Sequence, residues 1–222
     1  GGRMNVVAIV QCRMGSTRLP GKALLPLLDA PMITQQLRRM RRATRLSMVV
    51  LAYPLRDHAS LLPVLTSFTN TTGVPLGSWA GQGPEEDLIE RHLGAATAYH
   101  AEVIVRVPGD NPCVDPAKID EAVEHYLRVP EVYYSNTTAA VGTQMLDGIG
   151  AEVFSFSRLQ WLDARVGADP QWREHPHRFF EDQGVLALPA ATRRVDVNTL
   201  DEYHAVQAIY THFGRNDFTS QE

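Results

Sequence analysis

Residues 5–11 (NVVAIVQ) form a short, nearly unbroken apolar run, the pattern of a strand buried on both faces of a parallel sheet. A loop punctuated by glycine and proline follows over 12–22. Pro31 then stands where a first helical turn begins, and Met32, Ile33, Leu37 and Met40 fall on one face of a helix over 32–44. The other face carries Arg38, Arg39, Arg41 and Arg42, a row expected to be solvated. Residues 47–53 read as the second strand, 57–68 as a helix interrupted or started late at Pro63, and 74–79 as the third strand. Pro84 opens an acid-led helix whose first-turn carboxylates suit the macrodipole. Residues 102–107 are the fourth strand, which runs into Pro108-Gly109-Asp110-Asn111-Pro112, too rich in turn formers to continue a sheet. An amphipathic helix over 116–127 follows.

This alternation of strand and helix predicts an α/β fold: a three-layer α/β/α domain around a mostly parallel, doubly wound (Rossmann-like) sheet. Beyond residue 130 the rhythm changes. Strands at 132–135 and 151–156 flank a glycine-rich excursion over 141–150. Helices are expected at 159–166, 174–182 and 199–213, with extended segments at 185–188 and 194–197. No internal repeat is present, so residues 4–214 are expected to form one domain with a small excursion around 132–156. Residues 215–222 read as a tail with little to bury, and Gly1–Arg3, ahead of Met4, as a tag remnant.

Composition narrows the function classes. A hydrophobic content of 44% and a charged content of 21% in 222 residues exclude global disorder and fibrous architectures. Apolar runs such as 48–53 fall far short of the ~20 residues needed to cross a bilayer, so no membrane association is expected. Cys12 and Cys113 are too few for a disulfide framework or a structural zinc site, and a cytoplasmic setting is the expectation. Charge is unevenly spread. Residues 1–46 carry nine Lys or Arg against Asp29 alone, whereas the whole chain carries −4. That asymmetry points to an anionic ligand near the N-terminus; nucleic acid is disfavoured because the general positive field of such binders is missing.

The densest chemistry lies in Arg13-Met14-Gly15-Ser16-Thr17-Arg18-Leu19-Pro20-Gly21-Lys22, which leaves the first strand. Ligands of open α/β sheets sit beyond the carboxyl ends of strands. Glycine and small residues let backbone amides approach phosphate oxygens, and Arg13, Arg18 and Lys22 bring three cations to the same place. A P-loop is excluded, because five residues rather than four separate Gly15 from Gly21 and Ala23 follows the lysine. The dinucleotide pattern G-x-G-x-x-G fails at Thr17.

The loop resembles the R-x-G-S-x-R-L-P-G-K of cytidylyltransferases of the nucleotide-diphospho-sugar transferase fold, specifically the spore-coat polysaccharide biosynthesis type related to the CMP-sialic acid and CMP-Kdo synthetases. Five further segments resemble family motifs in the same order. Gly83 to Arg91 is similar to G-x-x-x-D-V-L-x-R, Val105 to Pro112 to V-R-x-x-G-D-x-P, and Asp147 to Phe154 to D-G-x-x-x-E-x-F. Arg173-Glu174-His175 matches R-E-H, and Val197 to Glu202 resembles V-D-T-x-x-D.

The resemblance implies transfer of CMP from CTP to a sugar-type acceptor with release of pyrophosphate, Mg²⁺ (or Mn²⁺) assistance, and a homodimer formed through 132–156. It assigns catalysis to Arg13, Lys22 and Asp110, and the nucleotide to Gln11, Cys12, Arg13, Gly15, Ser16, Arg18, Lys22, Asp87, Arg106 and Asp110. Arg18 either orders the loop or contacts the triphosphate; Asp87 and Arg106 either shape the base or ribose pocket or form a structural ion pair. Asp147, Glu152, Glu174 and His175 fall to the acceptor, which is either an acidic sugar attacking through a hydroxyl or a phosphate- or phosphonate-bearing molecule. Asp110 is the implied first metal ligand. The family's second metal Asp is Asn198 here, and Asp196, on the same strand face by alternation, is expected to act with it. Two other readings stay open: a sugar-1-phosphate nucleotidyltransferase using another nucleotide, although Met14 and Ser16 replace the glycines of its G-x-G-x-R loop, and a non-catalytic nucleotide-binding regulator.

Overall fold

Every residue of Val6–Val10 is buried, and in the computed structural model, which describes residues 4–129 and 131–222, this run is the interior strand of a six-stranded sheet. Gly1–Arg3 lie outside the described residues. Strand β1 (Val6–Gln11) is followed by the two-residue pair β2 (Pro26–Leu27) and β3 (Ala30–Pro31), then by α1 (Met32–Met40) and β4 (Met48–Pro54). Next come α2 (His58–Thr66), β5 (Leu76–Gly81), α3 (Leu88–Ala98), β6 (Val103–Pro108) and α4 (Pro116–Arg128). The second half contains β7 (Tyr134–Ser135), β8 (Thr138–Val141), β9 (Gln144–Asp147), β10 (Glu152–Ser155) and α5 (Phe156–Val166). It closes with α6 (Pro170–Glu174), α7 (Pro176–Asp182), β11 (Arg193–Arg194) and α8 (Leu200–Phe213).

The main sheet runs β5-β4-β1-β6-β10-β7, with β5, β4, β1 and β6 parallel and β10 antiparallel to its neighbours. Alternation along β1 divides its side chains between two cores: Val6, Ala8 and Val10 pack beneath α1, α2 and α4, while Val7 and Ile9 pack with residues of α3, α5 and α7. The result is the α/β/α sandwich that the strand–helix rhythm predicts. Strand order reverses at β1, which places β4 on one side and β6 on the other. The crevice beyond the ends of β1 and β6 is therefore the expected ligand position.

Several boundaries depart from expectation for local reasons. Helix α2 continues through Pro63, whose missing N–H leaves one carbonyl on an exposed face where water can take it. Helix α3 starts at Leu88 because Asp87 caps it, accepting from the Glu90 amide at 2.9 Å. The helix expected over 174–182 is two helices, broken at His175, since a residue ahead of proline avoids helical angles. The glycine-rich excursion is a hairpin, β8 and β9 turning at Gly142, and β11 joins it in parallel with Arg194 opposite Asp147.

The row of arginines on α1 is the largest correction. Arg39 and Arg41 are buried. Arg39 donates to Val114 O at 2.7 Å and Asn216 O at 2.6 Å and stacks 4.2 Å from the Phe218 ring, and Arg41 bonds Thr71 and Val74. The tail supplies part of this burial. Phe218 is 5% exposed and the Ser220 amide donates to Asp115 at 2.7 Å, so residues 215–222 do bury an apolar anchor. Deleting 215–222 is expected to lower stability by about 2 kcal/mol, the burial energy of one large apolar side chain. An unchanged urea midpoint in the truncated chain would refute this packing.

Candidate active site

Two loops meet at the crevice. The first leaves β1 and runs to Gly21, whose φ of 69° lies in the left-handed region and turns the chain into a short 3₁₀ helix at Lys22–Leu24. The second leaves β6 through Gly109, where a Cβ would come within 2.6 Å of Gln11 O, so only glycine lets the two strand ends approach this closely. Val197 N donates to Asp110 O at 2.8 Å and brings in the segment after β11.

Lys22 joins the three pieces. Its Nζ donates to Asp110 Oδ2 at 3.2 Å, Asn198 Oδ1 at 3.2 Å and Val197 O at 2.7 Å. Burial raises the Asp110 carboxyl above its ordinary value, opposed by the Lys22 ammonium and reinforced by the charge of Asp196. Asp196 is occupied: Arg194 donates to both of its oxygens, at 2.9 and 2.7 Å, and Asn198 Nδ2 donates to it at 2.7 Å. It thereby turns the Asn198 amide oxygen toward Lys22. Asn198 does not cap the last helix; Thr199 does, in a reciprocal capping box with Glu202.

Between Arg13 and Lys22, the backbone amides of Gly15, Ser16, Thr17 and Arg18 donate to no acceptor among the described residues, while Met14 N is held by Asp57 at 2.9 Å. The free amides of Ser16, Thr17 and Arg18 belong to residues that share a cavity with Arg13 and Lys22 and form a cradle able to take an anion, whereas Gly15 lies against the Glu85 carboxylate. Arg13 rests 3.4 Å from Glu85, which also pairs with Arg56.

A cavity of about 830 Å³ joins this cradle to the rest of the predicted set. Its walls include Gln11, Cys12, Arg13, Ser16, Arg18, Lys22, Arg106, Asp110, Asp147, Glu152, Glu174, His175, Asp196 and Asn198. Gly15 and Asp87 are not among them. Asp87 caps α3 and accepts from Arg173 Nε at 2.6 Å, so neither of its expected roles, pocket wall or partner of Arg106, is what the structure holds. Arg106 pairs with Glu152 across the β6–β10 ladder, the two residues facing each other in register. Glu152 is pushed up by burial but held below its ordinary value by that guanidinium. Cys12 and Cys113 are buried thiols, each raised to about 12 chiefly by desolvation, and neither is a nucleophile at neutral pH.

Sequence reasoning assigned no role to several lining residues. His177 and Arg178 reach the cavity because Pro176 breaks the helix, a signal present in the sequence. Arg194 stands two residues before Asp196, so alternation alone would place both on one face. Arg91 is 2% exposed and donates to Glu85 O at 2.6 Å; only the fold brings it to the wall.

The chain is similar to known proteins in sequence and in fold. Residues 7–210 match the family model described as Cytidylyltransferase. The spore coat polysaccharide biosynthesis protein SpsF of Bacillus subtilis is 27% identical over 98% of this chain and 92% of its own length. A 3-deoxy-manno-octulosonate cytidylyltransferase of Trichlorobacter lovleyi is 34% identical over 57% of this chain and 47% of its own. Among solved structures, a cytidylyltransferase from Leptospira borgpetersenii superposes with a TM-score of 0.83 at 25% identity, covering 98% of this chain and 91% of that one. A CMP-2-keto-3-deoxy-manno-octonic acid synthetase complexed with CTP shares the fold, with a TM-score of 0.68 at 17% identity over 94% of this chain and 99% of its own. With the match extending from the first strand into the last helix, the chain belongs to the cytidylyltransferase family.

Proposed function

We propose that the chain transfers CMP from CTP to a sugar-type acceptor with release of pyrophosphate, in surface-polysaccharide or related biosynthesis. One observation carries the reading: the Lys22 ammonium is gripped between Asp110 and Asn198 at the foot of a loop with four free amides. The amides of Ser16, Thr17 and Arg18, with the side chains of Arg13 and Arg18, hold the β- and γ-phosphates, and Lys22 neutralises charge that builds at the α-phosphate. The acceptor oxygen bonds to the α-phosphorus while the bond to the bridging oxygen breaks and pyrophosphate leaves. A hydroxyl acceptor loses its proton in that step. His175, lowered chiefly by burial, is neutral at pH 7 and lines the same cavity, where it can accept the proton. A phosphate or phosphonate oxygen needs no base, so both acceptor classes fit.

Among the described residues, no cluster of three or more His, Cys, Asp or Glu side chains is arranged for a metal. Mg²⁺ asks for less, because one or two protein oxygens suffice when triphosphate completes the shell. Asp110 Oδ2 and Asn198 Oδ1 already converge on a cation, the Lys22 ammonium, and are the hard donors that Mg²⁺ or Mn²⁺ requires. Bound there, the ion supplies charge neutralisation for the triphosphate; Asp196 orients Asn198 from behind. Gln11 Oε1, a buried acceptor with no partner among the described residues, suits an exocyclic amine, which cytosine carries and uracil lacks.

The test is a thermal-shift panel of the four ribonucleoside triphosphates with Mg²⁺. CTP near 100 times its Kd should stabilise the fold by about 2.7 kcal/mol, a shift of roughly 5–10 °C for a chain of this size. An equal or larger shift with UTP, ATP or GTP rejects CTP as the donor.

A further inference from the structure

The turn that carries Asp110 is poor in hydrogen bonds of its own. Pro108 and Pro112 bracket it and have no N–H to give, so the five residues hold three backbone amide donors. Such a turn needs outside partners to keep one geometry. Two are backbone groups: Gln11 O takes the Gly109 amide at 2.9 Å, and the Val197 amide reaches Asp110 O at 2.8 Å. The Tyr210 hydroxyl donates to Pro112 O at 2.6 Å, and two more bonds come from a single side chain, Gln36 on α1, which is completely buried. Its Nε2 donates to Pro108 O at 2.7 Å, and its Oε1 accepts from Asn111 N at 3.1 Å.

We propose that Gln36 is a positioning residue for Asp110. Its two partners straddle Gly109-Asp110, so one planar amide fixes the separation between the start and the end of the turn. The glutamine amide presents a donor and an acceptor on one rigid plane, and here both are used, one on each side of Gly109-Asp110. With both ends tied, the Asp110 carboxylate has one direction to point, toward Lys22 and Asn198. Untied, the segment keeps its bonds at Gly109 N, Asp110 O, Asn111 O and Pro112 O but loses those at Pro108 O and Asn111 N, the two that flank Gly109-Asp110, and the carboxylate swings with it. The proposal rests on reading Asp110 as the residue that holds the metal of the metal–triphosphate.

Gln36→Met tests it, since methionine keeps the length and nearly the volume of glutamine while removing both polar atoms. Two quantities are read on the full chain: hydrogen exchange of the Asn111 amide, and the Mg²⁺ concentration giving half-maximal pyrophosphate release. Exchange should accelerate at least tenfold. The Mg²⁺ requirement should rise on the order of tenfold to a hundredfold, as misplacement of a ligand by a fraction of an ångström demands, while CTP binding measured in EDTA stays unchanged. Unaltered exchange overturns the proposal outright. Faster exchange with an unaltered Mg²⁺ requirement overturns it too, provided that Asp110→Asn, run alongside, does shift that requirement. If Asp110→Asn leaves the Mg²⁺ requirement untouched, the metal reading of Asp110 is what fails, and the exchange result alone then decides whether Gln36 clamps the turn. Should Gln36→Met not fold, Gln36→Glu is read by the same two measurements. It retains an acceptor for Asn111 but cannot, when ionised, donate to Pro108 O, so an intermediate loss is expected and a wild-type profile in both assays overturns the proposal.

Discussion

Asp110→Ala is expected to lower pyrophosphate release by about 10³-fold, the scale seen when a preorganised electrostatic contact to a transition state is removed. The loss has two parts. The carboxylate and the Asn198 amide oxygen converge on one cation, and Asp110 also aims Lys22, whose other acceptors among the described residues are Val197 O and Asn198 Oδ1. Both parts act on charge that develops as pyrophosphate departs, so the effect should fall on kcat. Binding of CTP in the absence of divalent metal should change little. Stability should hold, because burial already opposes the ionised form of this acid and removing it relieves that cost. A variant with near-native kcat and an intact fold would remove Asp110 from the chemistry and with it the proposed reaction.

Glu152→Gln is expected to cost about 3–5 kcal/mol in stability, the penalty for leaving a buried cation unpaired. Arg106 and Glu152 are 5% and 3% exposed, and they face each other across β6 and β10. Arg106→Met combined with Glu152→Leu should recover much of that loss, since the apolar pair leaves no buried charge; a double variant as unstable as the single one would contradict this account. The same cluster predicts the direction of acid sensitivity. The Glu152 carboxyl is held below its ordinary value, so its contribution is complete above the usual carboxylate range and vanishes as pH falls through the lower, folded value. Burial lowers His177 to about 4 and His92 to about 3. The unfolded chain therefore takes up protons from about pH 6.5 downward while the folded chain does not, and each histidine removes about 1.4 kcal/mol per pH unit in that window. A urea midpoint that stays flat between pH 6.5 and 4.5 would show that these side chains are not buried as described.

Much of the framework is written in short-range pattern. The apolar runs of β1, β4 and β6 and the turn formers after them identify the sheet and the edge where its ligand sits. The cationic loop and Asp110 lie at those two strand ends. Even the break between α6 and α7 was available locally, since Pro176 disfavours helical angles at His175. Its effect, bringing His175 and His177 to the same cavity, follows from that break.

Pairing was not legible in the same way. Arg39 and Arg41 have the spacing of a solvated face, yet both are buried, because the tail and the segments at 71–74 and 113–114 bring carbonyls and an aromatic ring to α1 from distant points of the chain. Arg106 found Glu152, and Asp87 found Arg173, because strand order and helix packing set those neighbours. Periodicity and turn chemistry act over a few residues, so the sequence by itself determined which segments are strands, which are helices, and which loops leave their ends. Partners of a buried charge are chosen across the sheet, and only the tertiary structure decided them: a guanidinium taken out of water bonds whichever acceptor the packing delivers.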